Sequence, residues 1–117
     1  MEDVLKRLVT EVEGAIGAAI GGVDGLLIEQ YTAGDDLSNT VAEHANLLRN
    51  TNFSYTDTLS TGPVHEMMVS ADKMIGYTRP IGSDYFIILL LAPTSNLGKA
   101  RLRSGDAATA IREMIGA

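Results

Sequence analysis

An unbroken apolar run from Phe86 to Ala92 constrains the fold of this chain more than any other feature. A strand covered on one face alternates apolar and polar side chains, whereas a continuous run is typical of a strand covered on both faces. Pro93 ends the strand, because proline has no N–H to donate to a sheet. The next residues, Thr94 to Asn96, offer N-caps for a terminal helix. We therefore expect a doubly covered central strand with the last helix packed back over it.

Composition narrows the class of protein. The 117 residues carry a net charge of −6 and suffice for a single domain over 1–117. This charge disfavours nucleic acid as a partner, because phosphate binding needs clustered Lys and Arg. The absence of cysteine excludes disulfides and fits a reducing compartment. No apolar run approaches the roughly 20 residues of a membrane helix. These features predict a cytoplasmic protein without direct membrane insertion.

Periodicity predicts an α+β chain in the order α-β-β-α-β-β-β-α. The first helix is expected over 2–13 and ends near Gly14, and the second is expected over about 37–52 with Asp35 or Asp36 as its cap. Asp24-Gly25 predicts the turn of the first hairpin. The strands are expected near 15–20, 26–32, 64–70, 74–81 and 85–92, with a polar loop over 53–63.

The character of the strands predicts their arrangement. The most apolar strands, 15–20 and 85–92, should be neighbours in the middle, and the more polar strands 26–32 and 64–70 should be the edges. This gives a five-stranded antiparallel sheet of order 2-1-5-4-3. The second helix, with a core stripe of Leu37, Val41, Ala45 and Leu48, should cover one face, and the other two helices should cover the opposite face.

The predicted edge strand 64–70 has neither lysine nor proline inside it, which are the usual obstacles to pairing with another strand. A semi-polar stripe on the second helix should lie near the same edge. Two copies could meet there in a two-fold dimer, the commonest closed assembly. The alternative is an edge shielded by the 53–63 loop. The predicted dimer interface comprises Thr40, His44, Leu47, Thr51, Val64, Glu66 and Met68.

No motif indicates an active site, a metal site or a cofactor. The glycines between positions 14 and 25 lack Gly-x-Gly-x-x-Gly spacing and lead into a strand instead of a helix. His44 and His65 lack the further ligands of a metal site. Arg101 and Arg103 invite comparison with an arginine finger, but neither is an isolated residue on a loop. We interpret these two arginines as a solvated helix face, and we expect the protein not to be an enzyme.

The element order, the Gly22-Val-Asp-Gly25 hairpin, the apolar fifth strand and the closing Leu97-Gly-Lys-Ala-Arg-Leu102 together resemble the Roadblock/LC7 family, especially its stand-alone bacterial and archaeal members of the MglB type. The resemblance implies a profilin-like fold and a homodimer built through the second helix and third strand. It also implies binding to a small Ras-like GTPase and modulation of its GTP hydrolysis. In the MglB branch the activator contributes no arginine finger, so the resemblance implies no catalytic residue in this chain. The implied partner-binding face is the outer side of the second helix, with Asn39, Glu43, Asn46 and Asn50.

Two other functions remain open from the sequence. One is a structural adaptor subunit, similar to the family's dynein light chains. The other is a profilin-like or PAS-like sensor that binds a small ligand between the sheet and a helix. Such a sensor needs a roomy pocket, whereas Gly17, Ala18 and Ala19 predict close backbone packing.

Overall fold

The computed structural model describes residues 1–116, so Ala117 of the predicted 1–117 domain lies outside the described residues. Three helices and five strands follow the predicted order. A π-helical turn, Ser54–Thr58, extends the second helix. The helices and strands are α1 (Glu2–Glu11), β1 (Ala15–Gly22), β2 (Leu27–Thr32), α2 (Ser38–Phe53), β3 (Met67–Ser70), β4 (Ile75–Ile81), β5 (Tyr85–Leu91) and α3 (Leu97–Ile115).

The five strands form one antiparallel sheet of order β2-β1-β5-β4-β3, which confirms the predicted order. β5 lies in the centre and pairs with β1 on one side and with β4 on the other. β2 and β3 are the two edges. The strand with the longest apolar run is therefore also the strand with the most protected backbone.

Alternate side chains of β5 enter two separate layers of the core. Ile87, Leu89 and Leu91 pack with α1 and α3, whereas Phe86, Ile88 and Leu90 pack with α2. The core stripe of α2 is buried as predicted, with Leu37, Val41, Ala45 and Leu48 at 5% exposure or less. The Arg103–Glu11 ion pair, at 3.5 Å, joins α3 to α1 at the surface of their shared layer.

Turn chemistry explains the connections between β1 and its neighbours. Gly14 has a φ of +89°, a conformation that glycine adopts without steric cost, although α1 already ends at Glu11. In the first hairpin Gly25 has a φ of +95°, and the Asp24 carboxylate accepts a hydrogen bond from the Leu26 amide. The predicted Asp-Gly turn is thus present. Asp36 does not occupy the N-cap position of α2, which falls on Leu37, but its carboxylate accepts a hydrogen bond from the Ser38 amide.

The predicted strand over 64–70 is wrong at its start. β3 begins only at Met67, so Val64 and Glu66 precede it. The reason is the neighbouring strand: β4 pairs with β3 up to Thr78, and Pro80 follows without an N–H to donate to a longer β3. The last three residues of β4 therefore have no β3 partner within residues 1–116.

Candidate functional site

The semi-polar stripe of α2 lies on one side of the helix, next to its core stripe. Thr40, His44 and Thr51 are half-buried, and Leu47 is 41% exposed. The spacing of four, three and four residues places them on neighbouring turns. The structure thus brings together the four α2 residues that the sequence assigned to an interface.

His44 fixes the approach of α2 to the sheet. Its Nδ1 lies 2.8 Å from the Thr40 carbonyl oxygen, one turn earlier. Its Nε2 lies over the buried Gly76 of β4, only 2.7 Å from where a methyl group on that glycine would sit. The imidazole therefore packs against bare backbone, and glycine at position 76 is what permits this contact.

The pairing of β3 with β4 decides which side chains share a face with this stripe. Val69 pairs with Gly76, and Met68 pairs with Tyr77. Residues directly opposite each other on antiparallel strands point to the same face. Val69 therefore lies on the face that α2 covers, next to His44, and Met67 lies there as well. Met68 shares the face of α1 and α3, because Tyr77 belongs to their core layer.

Of the β3 side chains, the sequence assigned only Met68 to the interface, and it lies on the face opposite α2, whereas Met67 and Val69 on the α2 face were not included. Nothing in the run Met67-Met68-Val69 distinguishes the two faces, because all three side chains are apolar. The edge itself is open, with Met68 49% and Val69 43% exposed. The turn after α2 bonds to itself, with the Thr61 amide donating to the Tyr55 carbonyl, and it leaves this edge uncovered.

Glu66 also lies on the α3 side, in a network of polar side chains. Its two carboxylate oxygens accept hydrogen bonds from Arg101 Nε and Nη2 at 2.7 and 2.6 Å. The hydroxyl of buried Tyr77 donates to the same carboxylate at 3.1 Å. The Arg101 hydrogen bonds lower the pKa of Glu66, and burial raises the pKa of Tyr77. Glu66 thus attaches the segment before β3 to α3.

Val64 holds the same segment on the opposite face. Its amide donates to the Asn52 side-chain oxygen at 2.9 Å, and its side chain packs against the layer beneath α2. Val64 and Glu66, two interface residues from the predicted strand 64–70, therefore anchor the chain just before β3 begins.

The outer side of α2 is polar and open. Asn39, Glu43, Asn46 and Asn50, the predicted partner-binding residues, are all exposed. Asn46 is oriented by Arg49, which donates to its side-chain oxygen and to the Val23 carbonyl. We call these four residues, the stripe and β3 the α2–β3 surface. It presents exposed amide groups and apolar side chains that another protein could contact.

Residues 1–116 contain no group of three or more His, Cys, Asp or Glu side chains arranged to hold a metal ion. No helix within the same range is both long and apolar enough to cross a membrane. Two clefts, of about 500 and 330 Å³, flank Pro63 and Val64 at the edge of the sheet.

The arrangement has a counterpart in known proteins. The model of the Roadblock/LC7 domain matches residues 1–92, which is most of the chain. This chain belongs to the Roadblock/LC7 family. No curated protein matches its sequence.

Several solved structures share the fold over nearly the whole chain. A Roadblock/LC7 domain from Streptomyces avermitilis superimposes with a TM-score of 0.92 at 15% identity, covering 100% of this chain and 98% of that one. The gliding protein MglB from Thermus thermophilus gives 0.85 at 21% identity, with coverages of 95% and 84%. MglC from Myxococcus xanthus is 31% identical, with a TM-score of 0.69 and 96% of each chain covered.

The arginines at the start of α3 are engaged within this Roadblock/LC7 domain. Arg101 binds Glu66, and Arg103 lies within 4 Å of Glu11 and Asp106. An arginine finger must project freely into another protein's active site. These ion pairs give both side chains a structural role.

Proposed function

We propose that this Roadblock/LC7 protein forms a homodimer through the α2–β3 surface and serves in the cytoplasm as a scaffold for a small Ras-like GTPase. The observation that carries the proposal is the open β3 edge, where Met68 and Val69 are exposed and Val69 lies on the same face as the α2 stripe with exposed Leu47. An apolar, unprotected edge strand favours pairing with a second copy. A structure described as MglB with a tetrameric arrangement, 22% identical to this chain, is consistent with assembly.

In such a dimer β3 would pair with its own copy, and the two sheets would become continuous. The two α2 helices would then lie side by side, with their stripes buried and their outer sides exposed. Asn39, Glu43, Asn46 and Asn50 would form the face that meets the GTPase. The protein would supply no catalytic group and would act by favouring one conformation of the GTPase switch regions.

Sedimentation of purified protein at micromolar concentration tests the dimer. We expect a dimer for the wild type and a monomer for Leu47→Arg, because a charge buried in the seam has no partner. Leu102→Arg is the matched control, since Leu102 is 61% exposed on α3, away from the proposed seam. A monomeric wild type, or a Leu47→Arg variant that remains dimeric, would reject the interface.

Phosphate release from a small Ras-like GTPase mixed with this protein tests the second half of the proposal. Faster release when the protein is added would identify an activator. Unchanged release despite measurable binding would identify a passive scaffold or adaptor. Absence of binding by the wild-type dimer would reject the GTPase as a partner while leaving the dimer intact.

A further inference from the structure

The larger cleft lies on the face of the sheet opposite α2. Its volume is about 500 Å³, and it separates the Pro63–His65 segment from the second half of α3. It exists because β3 begins late, which leaves the end of β4 unpaired at its outer edge. Pro80 has no N–H at this edge, so a ligand there is held by side chains more than by strand pairing.

Two positively charged side chains, Arg79 and Arg112, line this cleft. Its lining includes Arg79, Arg112 and His65, together with the hydroxyl of Thr109, and it includes no Asp or Glu. The chain as a whole carries a charge of −6. A concave site lined by two arginines and by no carboxylate attracts anionic groups.

Arg79 is held in place before any ligand arrives. Its Nη1 donates to the Tyr77 hydroxyl at 3.3 Å. A methyl group built on Gly105 of α3 would lie 3.6 Å from Arg79 Cζ and 3.7 Å from each Nη atom, so the guanidinium lies flat against this glycine. A guanidinium held in this way has a fixed orientation, so its remaining N–H groups can donate side by side to a carboxylate.

In the polar network of Glu66, Tyr77, Arg79 and Arg101, the guanidinium of Arg79 makes no direct contact with a carboxylate. Glu66 is the network's carboxylate, and Arg101 already binds both of its oxygens. Within residues 1–116, neither Arg79 nor Arg112 has a carboxylate within 4 Å. Two guanidinium groups therefore line one cleft without a carboxylate in direct contact in the described part of the chain, although Glu66 acts on Arg79 at longer range.

We propose that this basic cleft binds a carboxylate-bearing segment of a partner protein. Arg79 and Arg112 would bind its acidic side chains, and Pro63, Ile81 and Ala108 would contact apolar ones. The mixed lining favours a peptide over a phosphate compound. A phosphate site typically uses backbone N–H groups at a helix N-terminus, whereas this cleft meets α3 between Gly105 and Arg112, inside the helix. The site is separate from the α2–β3 surface and goes beyond the proposed function.

Fluorescence anisotropy with a labelled peptide of alternating glutamate and leucine tests this cleft. We expect the wild type to bind it, with weaker binding as salt increases, and not to bind the same peptide with glutamine replacing glutamate. Arg112→Gln and Arg79→Gln should each weaken binding by about tenfold, the usual loss for one charged hydrogen bond. Arg7→Gln, an equal charge change on exposed α1, should leave binding unchanged.

Three results would overturn the proposal. The first is a wild type that fails to bind the glutamate peptide. The second is an Arg7→Gln variant that loses as much affinity as Arg112→Gln, which would indicate a general charge effect. The third is displacement of the peptide by inorganic phosphate far better than by acetate at equal ionic strength, which would assign the cleft to a phosphate ligand. Arg112 is exposed, so its substitution tests the cleft even if Arg79→Gln disturbs the fold.

Discussion

The contact between His44 and Gly76 sets the distance between α2 and the sheet. Gly76→Ala would place a methyl group 2.7 Å from His44 Nε2, so the ring would have to move. We expect the free energy of unfolding to fall by about 1–3 kcal/mol, the usual cost of overpacking. Urea denaturation at fixed protein concentration would measure it.

Gly105→Ala is the matched control for that substitution. Its methyl group meets Arg79 at 3.6 Å, an ordinary contact, and glycine inside a helix is less stable than alanine by roughly 0.5–1 kcal/mol. The control should therefore be neutral or more stable. Equal losses in the two variants would contradict the packing assigned to His44.

Glu66 makes a definite contribution to the pH dependence of stability. Its pKa is lowered in the folded protein by Arg101, relative to the usual 4.5. A carboxyl group with a lowered pKa stabilises the fold above its unfolded pKa, and this stability is lost as pH falls through the folded value. Urea midpoints below pH 4.5 should thus fall less steeply for Glu66→Gln than for the wild type.

The control for the acid dependence is Glu43→Gln, at an exposed carboxylate on α2. It should retain the steep fall seen in the wild type. Asp36, whose pKa is lowered by its hydrogen bonds with Ser38, keeps part of the acid dependence in every variant. Identical pH profiles for wild type and Glu66→Gln would show that the Arg101 pair adds nothing to stability.

At the scale of elements, the start of α3 is set by one of three possible N-cap residues, Thr94 to Asn96, and the last of them is used. Asn96 is the N-cap, and its side-chain oxygen accepts a hydrogen bond from the Lys99 amide at 3.0 Å. Asn96→Ala should reduce the free energy of unfolding by about 0.5–2 kcal/mol, because one amide of the first turn loses its acceptor. Thr94→Ala, two residues earlier, should leave urea denaturation unchanged, and a larger loss there would place the cap elsewhere.

Elements with a clear burial pattern, either a continuous apolar run or a helical stripe, were predictable from the sequence. The apolar run of β5 and the core stripe of α2 identified the centre of the sheet and the helix that covers it. β3 was less predictable, since Met67, Met68 and Val69 show no alternation. Its late start also depends on residues distant in sequence: Pro80 in β4 and the attachment of Glu66 to Arg101, 35 residues later. Local patterns carry no information about such pairs.

For the molecule as a whole, amide hydrogen exchange should distinguish the centre of the sheet from its edge. β5 lies between two strands and two helical layers, so its amides should exchange most slowly, at the rate set by global unfolding. The amides of Met67–Ser70 should be protected in wild-type protein and exchange faster in Leu47→Arg, because the proposed dimer covers this edge. Equal exchange of β3 in both proteins would contradict strand pairing between copies.

The alternation of β5 between two layers also bears on how this protein can diversify. The α2 stripe and the basic cleft lie on opposite faces of the sheet, and distant substitutions usually have additive effects. After a gene duplication, one copy would be free to change the lining of its cleft while keeping the residues of its seam. The two copies would still pair through the proposed seam, and such a mixed dimer would present two different clefts.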